Sequence, residues 1–406
     1  MISRASKFIL VLALNAAWAD DWPQWRGPGR DGVVSSAPAT WPAQLKLRWK
    51  ITVGEGHASP ILVGGRIYLL SRQSGNEVAS SIDLESGKTI WRQFYPAPYK
   101  MHPAAVKHGE GPKSTPVVAG GRLYTFGISG ILTSWDAVTG AVRWRKDFSR
   151  EYRTTSPNFG TAMSPIVDRG LLIVHAGGSN DGALTAFDAD SGAVRWRWTG
   201  DGPAYASPVA VEFGGVRQVV TETQSNIVSV SEANGQLLWK IPFTTDYEQN
   251  IPTPLVYRDE LILSGLSRGI MAVRAREKDG KWTAETVWQN SDVALYMSSP
   301  VAEGDLLFGF SHYKKGQLFC VDLRTGSTKW MGEARQGDNA AVLISGDNLI
   351  VLKDDAELII AKATDKGFEP LRHYSVADGA TWAHPLPLHD GVIVKDVTTL
   401  ARWSAN

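Results

Sequence analysis

Along the chain, short apolar runs with polar positions interleaved return at a spacing of about 40–50 residues, the period expected of a repeat architecture built from small sheets. Each unit opens on Ser/Thr-Pro ahead of an apolar run: Ser59-Pro60, Thr115-Pro116, Ser164-Pro165, Ser207-Pro208, Thr253-Pro254 and Ser299-Pro300. Proline has no N–H to donate, so it is tolerated at the first residue of a strand and marks where the chain joins a sheet. Inside the unit, Val63-Gly64-Gly65-Arg66 and Val118-Ala119-Gly120-Gly121-Arg122 place glycines between two apolar runs, which predicts a hairpin. The unit closes on Asp-x-x-Ser/Thr-Gly-x-x-x-Trp at Asp83 to Trp91, Asp136 to Trp144, Asp188 to Trp196 and Asp322 to Trp330. There aspartate can bond its own backbone and glycine can take positive φ, so the motif reads as the turn between third and fourth strands. The tryptophan then sits on the outer strand and can wedge between neighbouring sheets.

A lone four-stranded antiparallel sheet cannot bury both faces, whereas similar sheets set radially bury them on one another. Openings at Pro60, Pro116, Pro165, Pro208, Pro254, Pro300, near Ala341 and at Pro385 predict eight blades, and endings at Trp49, Trp91, Trp144, Trp196, Trp239, Trp288, Trp330 and near Leu371 agree. Trp49 precedes the first opening and the unit at Pro385 lacks a fourth strand. Leu45–Val53 is therefore expected to complete the last blade, residues 382–403, and lock an all-β eight-bladed propeller. Deletion of 41–53 is expected to destabilise far more than deletion of 20–32. Blade seven, Ala341–Tyr374, lacks both proline and tryptophan and is expected to be the least regular.

Residues 1–19 read as an export signal. Arg4 and Lys7 precede the apolar run Phe8–Leu14, and Ala17-Trp18-Ala19 offers a cleavage pattern ahead of Asp20. Residues 20–40 form an N-terminal extension and 41–406 a single propeller domain. The run is too short to span a bilayer, and no later stretch approaches the roughly 20 apolar residues needed. A periplasmic or secreted monomer is expected, without membrane span or lipid anchor. Removing Arg4 and Lys7 takes the 42 basic residues to 40 against 41 acidic ones, a net of −1 with no block of like charge. That balance argues against nucleic acid as a partner. The single cysteine, Cys320, allows no intramolecular disulfide and lies in an apolar run as a small buried hydrophobe.

The Ser/Thr-Pro and Gly-x-x-x-Trp signature resembles the pyrroloquinoline-quinone-like propeller superfamily over residues 41–405. That superfamily holds the quinoprotein alcohol dehydrogenases and the outer-membrane assembly lipoprotein BamB. The leader Asp21-Trp22-Pro23-Gln24-Trp25-Arg26-Gly27-Pro28-Gly29-Arg30-Asp31-Gly32 is similar to that of exported members. Two functions follow as expectations. One is a non-catalytic scaffold that binds a protein, peptide or small ligand in the cell envelope at one mouth of the ring. The alternative is a dehydrogenase using pyrroloquinoline quinone with calcium, for which the resemblance implies an adjacent-cysteine disulfide that this chain cannot make and a catalytic aspartate that could not be located.

Other patterns fail in context. Gly27-x-Gly29-x-x-Gly32 has no βαβ unit around it, Gly87-Lys88-Thr89 is the repeat turn, and Asp188-x-Asp190-x-Gly192 lacks the closing glutamate of a calcium loop. Gly265-x-Ser267-x-Gly269 aligns with a hairpin of another blade, which makes Ser267 a turn serine. No catalytic residue is assigned. His102, His108 and Glu110, in the long insertion 95–113, are the best grouping for a metal, against the alternative of an exposed loop. The residues just before the inner strands must converge at one channel mouth: His57, Lys113, Asn158, Tyr205, Asn250, Tyr296, Asp338 and His384. These are the candidate binding residues, with the insertion expected to overhang them.

Overall fold

The protein is described by a computed structural model covering residues 21–406; the segment 1–19 read as an export signal lies outside the described residues. Eight four-stranded antiparallel sheets make an eight-bladed propeller. Blades 1 to 7 span residues 61–96, 117–147, 166–198, 209–242, 255–290, 301–331 and 340–375. Blade 8 takes three strands from residues 386–404 and its outer strand from Lys46–Thr52. In that closing sheet Lys46 faces Ser404 and Thr52 faces Thr399, with a bulge between Leu47 and Trp49.

The repeat motifs are the joints between blades. The recurring indoles, Trp239 excepted, reach forward and donate to a carbonyl of the next blade: Trp49 to Leu84 at 3.0 Å, Trp91 to Ala137 at 3.0 Å, Trp144 to Ala189 at 3.2 Å, Trp196 to Glu232 at 2.7 Å, Trp288 to Leu323 at 2.8 Å and Trp330 to Thr364 at 2.7 Å. Trp239 instead donates to Gln218 Oε1 of its own blade at 3.1 Å. The rings of Trp49, Trp91, Trp144, Trp196 and Trp288 lie flat on the turn glycine of the blade they reach. A Cβ on Gly87, Gly140, Gly192, Gly235 or Gly326 would stand only 2.4–2.8 Å from the preceding tryptophan. These glycines also hold φ between +67° and +76°, so two independent constraints demand glycine. The turn aspartate fixes the loop, as where Asp83 Oδ1 accepts from the amide and hydroxyl of Ser86 at 2.8 and 2.6 Å.

The Ser/Thr of five of the six openings has a second role that its position before proline did not reveal. The Ser59 amide donates to Thr115 Oγ1 at 3.1 Å, Thr115 to Ser164 Oγ at 3.0 Å, Ser164 to Ser207 Oγ at 2.9 Å, Thr253 to Ser299 Oγ at 3.1 Å and His384 to Ser59 Oγ at 2.9 Å. Neighbouring inner strands diverge too quickly to pair as a sheet. The hydroxyls satisfy the buried amides where the channel begins.

Blade 7 departs from its expectation. Its inner strand, Ala340–Ser345, pairs over six residues, whereas the strands after most Ser/Thr-Pro openings pair over three. Without proline, the pairing simply starts earlier. Its missing outer tryptophan is replaced from outside the repeat. Trp41 packs against Tyr374 with ring centroids 6.1 Å apart, and its carbonyl accepts from Arg372 Nε at 3.0 Å.

Residues 21–34 occupy the channel. The segment comes in at the far end, where Asp21 accepts from the Gly64 amide, and Trp22 forms a bridge with Leu62 of blade 1. It turns below the Ser/Thr-Pro level and leaves along blade 7, where the Val34 amide donates to the Ile344 carbonyl at 2.7 Å. Arg26 donates to the carbonyls of Ser299, Pro300 and Asp31, and Arg30 to those of Ser164 and Pro165. Burial pulls Arg26 down to about 10 and Arg30 to about 9, yet both stay charged at neutral pH. The Gly-x-Gly-x-x-Gly pattern is this plug's turn, and a Cβ on Gly27 would stand 2.6 Å from Trp22.

Candidate functional site at the channel mouth

With the far side filled, the channel is a cup rather than a pore. Its open end is a cavity of about 400 Å³ lined from all eight blade openings. Trp25, on the plug, supplies the floor and is fixed there by donating its indole N–H to Thr253 Oγ1 at 2.8 Å. His57 and Lys113 come from the openings of blades 1 and 2, Phe159 from blade 3, Tyr205 from blade 4, Gln249 and Ile251 from blade 5, Tyr296 and Met297 from blade 6, Asn339 from blade 7 and Trp382 from blade 8. A second cavity, behind the plug, is lined by Gln24, Arg30 and Asp31 with Asp168 and Arg217.

The insertion overhangs the first cavity. A 3-10 turn, Pro103–His108, places His102, Ala104, Ala105 and His108 in its wall. His102 meets Phe159 edge-on at 5.3 Å and His108 meets Trp382 edge-on at 4.6 Å. The insertion is tied down by His57, whose Nε2–H donates to the His108 carbonyl at 3.0 Å. It is also held at the rim by Lys107 and Asp338, paired at 2.8 Å.

Of the eight predicted mouth residues, His57, Lys113, Tyr205 and Tyr296 line the cavity, and the other four do not. The Asn250 side chain is fully buried and donates to the carbonyls of Thr223 and Phe243 at 2.7 and 3.2 Å, so it braces its loop, and Gln249 and Ile251 face the cavity instead. Asn158 is exposed beside Phe159, which takes its place. Asp338 points outward to Lys107, leaving the wall to Asn339. His384 lies one layer deeper, against Trp25 with ring centroids 4.3 Å apart, while Trp382 forms the wall. In extended chain a one-residue step reverses a side chain, and the phase is fixed by the repeat. The residue two before the opening Ser/Thr faces the cavity in blades 1 to 6, as His57, Lys113, Ala162, Tyr205, Ile251 and Met297, and Trp382 stands at the same distance before His384.

The three side chains of the candidate metal grouping point to separate partners. His102 Nδ1 accepts from the Ala104 amide, His108 faces Trp382, and Glu110 turns away to Arg72 at 3.7 Å and the Met101 amide. Among the described residues no three His, Cys, Asp or Glu side chains are placed to share a metal ion. Ser267 occupies a turn at φ +59°, with its hydroxyl 3.4 Å from His312 Nε2, too long for a well-formed proton relay.

The electrostatics of the cavity are one-sided. Its lining holds one amine and three imidazoles but no carboxylate. Burial pushes the His57 imidazole down to about 3 and His108 to about 4, so both rings are neutral at pH 7. Burial alone lowers Lys113 to about 8. Its amine donates to the Phe159 carbonyl at 2.8 Å. The Tyr205 hydroxyl accepts from the Phe159 amide at 3.2 Å, and burial raises its pKa.

Comparison with known proteins agrees with this architecture. The family profile described as "Outer membrane protein assembly factor BamB" matches residues 74–332. The quinohemoprotein alcohol dehydrogenase ADH-IIG of Pseudomonas putida is 27% identical over 269 residues, 64% of this chain and 32% of that one. The assembly factor BamB of Yersinia pestis is 24% identical over 203 residues, 47% of each. The chain thus spans between a third and half the length of these two relatives. Among solved structures, BamB from Moraxella catarrhalis superposes with a TM-score of 0.65 at 16% identity, covering 89% of this chain and 99% of that one. The quinohemoprotein alcohol dehydrogenase of Comamonas testosteroni gives 0.68 at 13% identity, covering 95% and 80%. At such identities the structures attest the fold alone. The profile match extends over more than half of the sequence, and the chain belongs to the family described as outer membrane protein assembly factor BamB.

Proposed function

We propose that this protein is an exported, non-catalytic binding propeller of the cell envelope, whose mouth cavity and overhanging insertion recognise a partner in outer membrane protein assembly. The observation that carries the reading is the cavity itself: one concave, largely aromatic site, assembled from every blade and closed beneath by the plug. Convergent polar groups in an apolar concavity are the usual form of a recognition site. The lining offers no carboxylate to act as a base, and calcium takes oxygen ligands with carboxylates prominent among them. Cys320, the one cysteine, is buried in blade 6, remote in role from the mouth. These features support a reading without pyrroloquinoline quinone and calcium, and residues 41–406 are proposed as the single working domain with 21–34 as its internal plug.

The test uses a photoreactive phenylalanine analogue in living cells. Placed at Tyr247 or Val106, both exposed beside the mouth, it is expected to crosslink to a component of the outer-membrane assembly machinery. Placed at Val138, exposed on a repeat turn, it should not. Crosslinks from Val138 alone, or dye-linked alcohol oxidation by the purified protein given quinone and calcium, would overturn the reading.

A further inference from the structure

The Lys113 amine sets a chemical requirement on whatever fills the cavity. An ammonium has three donors, and the Phe159 carbonyl uses one. No acidic side chain lies in the lining, and burial is the sole cause acting on the amine. A cation held in an apolar cleft without a counter-charge is costly, and an anionic ligand oxygen would offset that cost with a charge-assisted hydrogen bond. Flat rings stand out in the rest of the lining, among small and uncharged side chains: Trp25 below, Trp382 and Tyr205 on the walls, Phe159 beside the amine. The neutral imidazoles of His57 and His108 add no second positive charge.

We infer that the cavity is a binding site for a small aromatic monocarboxylate, with Lys113 holding the carboxylate and the tryptophans packing on the ring. The volume of about 400 Å³ falls in the range of small-molecule sites, roughly 300–1,000 Å³. This deepens the proposed function, since it names the ligand chemistry of the same mouth. A group with several carboxylates would leave charges unpaired against one amine. A cationic ligand would meet Lys113 itself.

Isothermal titration calorimetry on the full mature protein distinguishes these ligands, with naphthoate, naphthalenemethanol and naphthylmethylammonium as probes of one shape and three charges. Naphthoate is expected to bind at least about tenfold more tightly than the neutral alcohol, the effect of one charge-assisted bond, with the ammonium weakest. Lys113→Met should remove that preference, Lys113→Arg should keep most of it, and Trp382→Ala should weaken the naphthoate and alcohol together. Thermal unfolding of each variant confirms a folded ring. Equal affinity for all three probes, preference for the ammonium, or no saturable naphthoate binding would overturn the inference, as would a preference that survives in Lys113→Met. The selectivity of the native protein alone decides the case if the variants fail to fold. A protein that crosslinks to an assembly partner from Tyr247 yet ignores naphthoate loses this inference and keeps the proposed function; the reverse pair of results does the opposite.

Discussion

Residues 21–34 and residues 46–52 both tie the ring together from the N-terminal side, and they do so with opposite chemistry. The closing strand is a clasp: it adds regular backbone pairing to the edge of blade 8 and lays Trp49 on Gly87 of blade 1. The plug has almost no regular pairing. It crosses the axis and satisfies carbonyls at the blade openings with two buried guanidinium groups. One closes a circle by extending a sheet, and the other fills the hole that a circle of eight sheets leaves. The clasp secures a single junction, between blades 8 and 1. The plug touches blades 1, 2, 3, 5, 6, 7 and 8. The two deletions should therefore fail differently: loss of 41–53 is expected to destabilise far more, and loss of 20–32 should in addition remove the cavity floor.

The largest effect should come from a chain beginning at Gly54, which loses both elements. An open blade 8 exposes backbone donors along Thr399–Ser404 together with apolar surface; soluble expression and a cooperative thermal transition should both be lost. A chain beginning at Ser36 keeps the clasp and Trp41. It should remain β-rich by circular dichroism, unfold at a temperature several degrees lower, and lose the cavity floor. If both truncations melt alike, the distinction between clasp and plug is wrong.

Next in size is Arg26→Ala. It leaves the Ser299, Pro300 and Asp31 carbonyls without their shared donor, and a buried polar group stripped of its partner costs about 1–3 kcal/mol. Arg26→Met fills much of the volume but makes no bond, so it should fall between Ala and the native protein in urea unfolding. Equal stability of Arg26→Ala and native protein would mean that the plug is carried by its tryptophans alone.

The clasp was legible in the sequence and the plug was not, for a physical reason. Trp49 precedes a repeat that later lacks its fourth strand, so counting motifs forces the pairing. Asp21–Gly32 has neither the period of a strand nor that of a helix, and its partners are main-chain carbonyls that any sequence carries. The available signal was its composition: two tryptophans and two arginines around three glycines make a poor linker. At the mouth, the repeat identified where the chain approaches the axis, which placed His57, Lys113, Tyr205 and Tyr296. Asn250, three residues before Thr253, and His384, in the Ser/Thr position before Pro385, are out of step with His57, Lys113 and Tyr205, and Ile251 and Trp382 at the matching offset face the cavity. The signal available in the sequence was that fixed two-residue offset.

Acid should separate the two elements further. His384, buried against Trp25, is held down at about 3 by burial and by the nearby Arg26, while an unfolded histidine titrates near 6.5. A depressed folded pKa means that the unfolded chain binds the proton first. Stability is then full above about pH 6.5 and is lost as pH falls through the window from 6.5 towards 3. By pH 4 this ring alone should cost about 2–3 kcal/mol, and His175, held at about 4 by burial, adds to it. The closing strand contains no histidine. The chain beginning at Ser36, which lacks Trp25 and Arg26, should show a shallower fall in melting temperature between pH 6.5 and 4 than the chain beginning at Asp21. Parallel curves would detach His384 from the plug.

The smallest effect makes the closest comparison, because each element rests a tryptophan on a glycine. Gly87, at φ +67°, lies under Trp49 of the clasp, and Gly27, at φ +82°, lies under Trp22 of the plug. In either place an added Cβ meets the indole at 2.8 or 2.6 Å and the backbone is strained for any L-residue. Gly87→Ala and Gly27→Ala should each cost about 1–3 kcal/mol at equilibrium. They should part in their side effects. Trp49 stands on a paired strand that cannot shift without breaking its ladder, so Gly87→Ala should speed exchange of the amides at the blade 8 edge and leave naphthoate binding at the mouth unchanged. Trp22 stands three residues from Trp25 on a single bridge to Leu62 with no ladder around it, so Gly27→Ala should move the cavity floor and weaken naphthoate binding. Intact naphthoate affinity in Gly27→Ala would show that the Trp25 bond to Thr253 holds the floor without help from the rest of the plug.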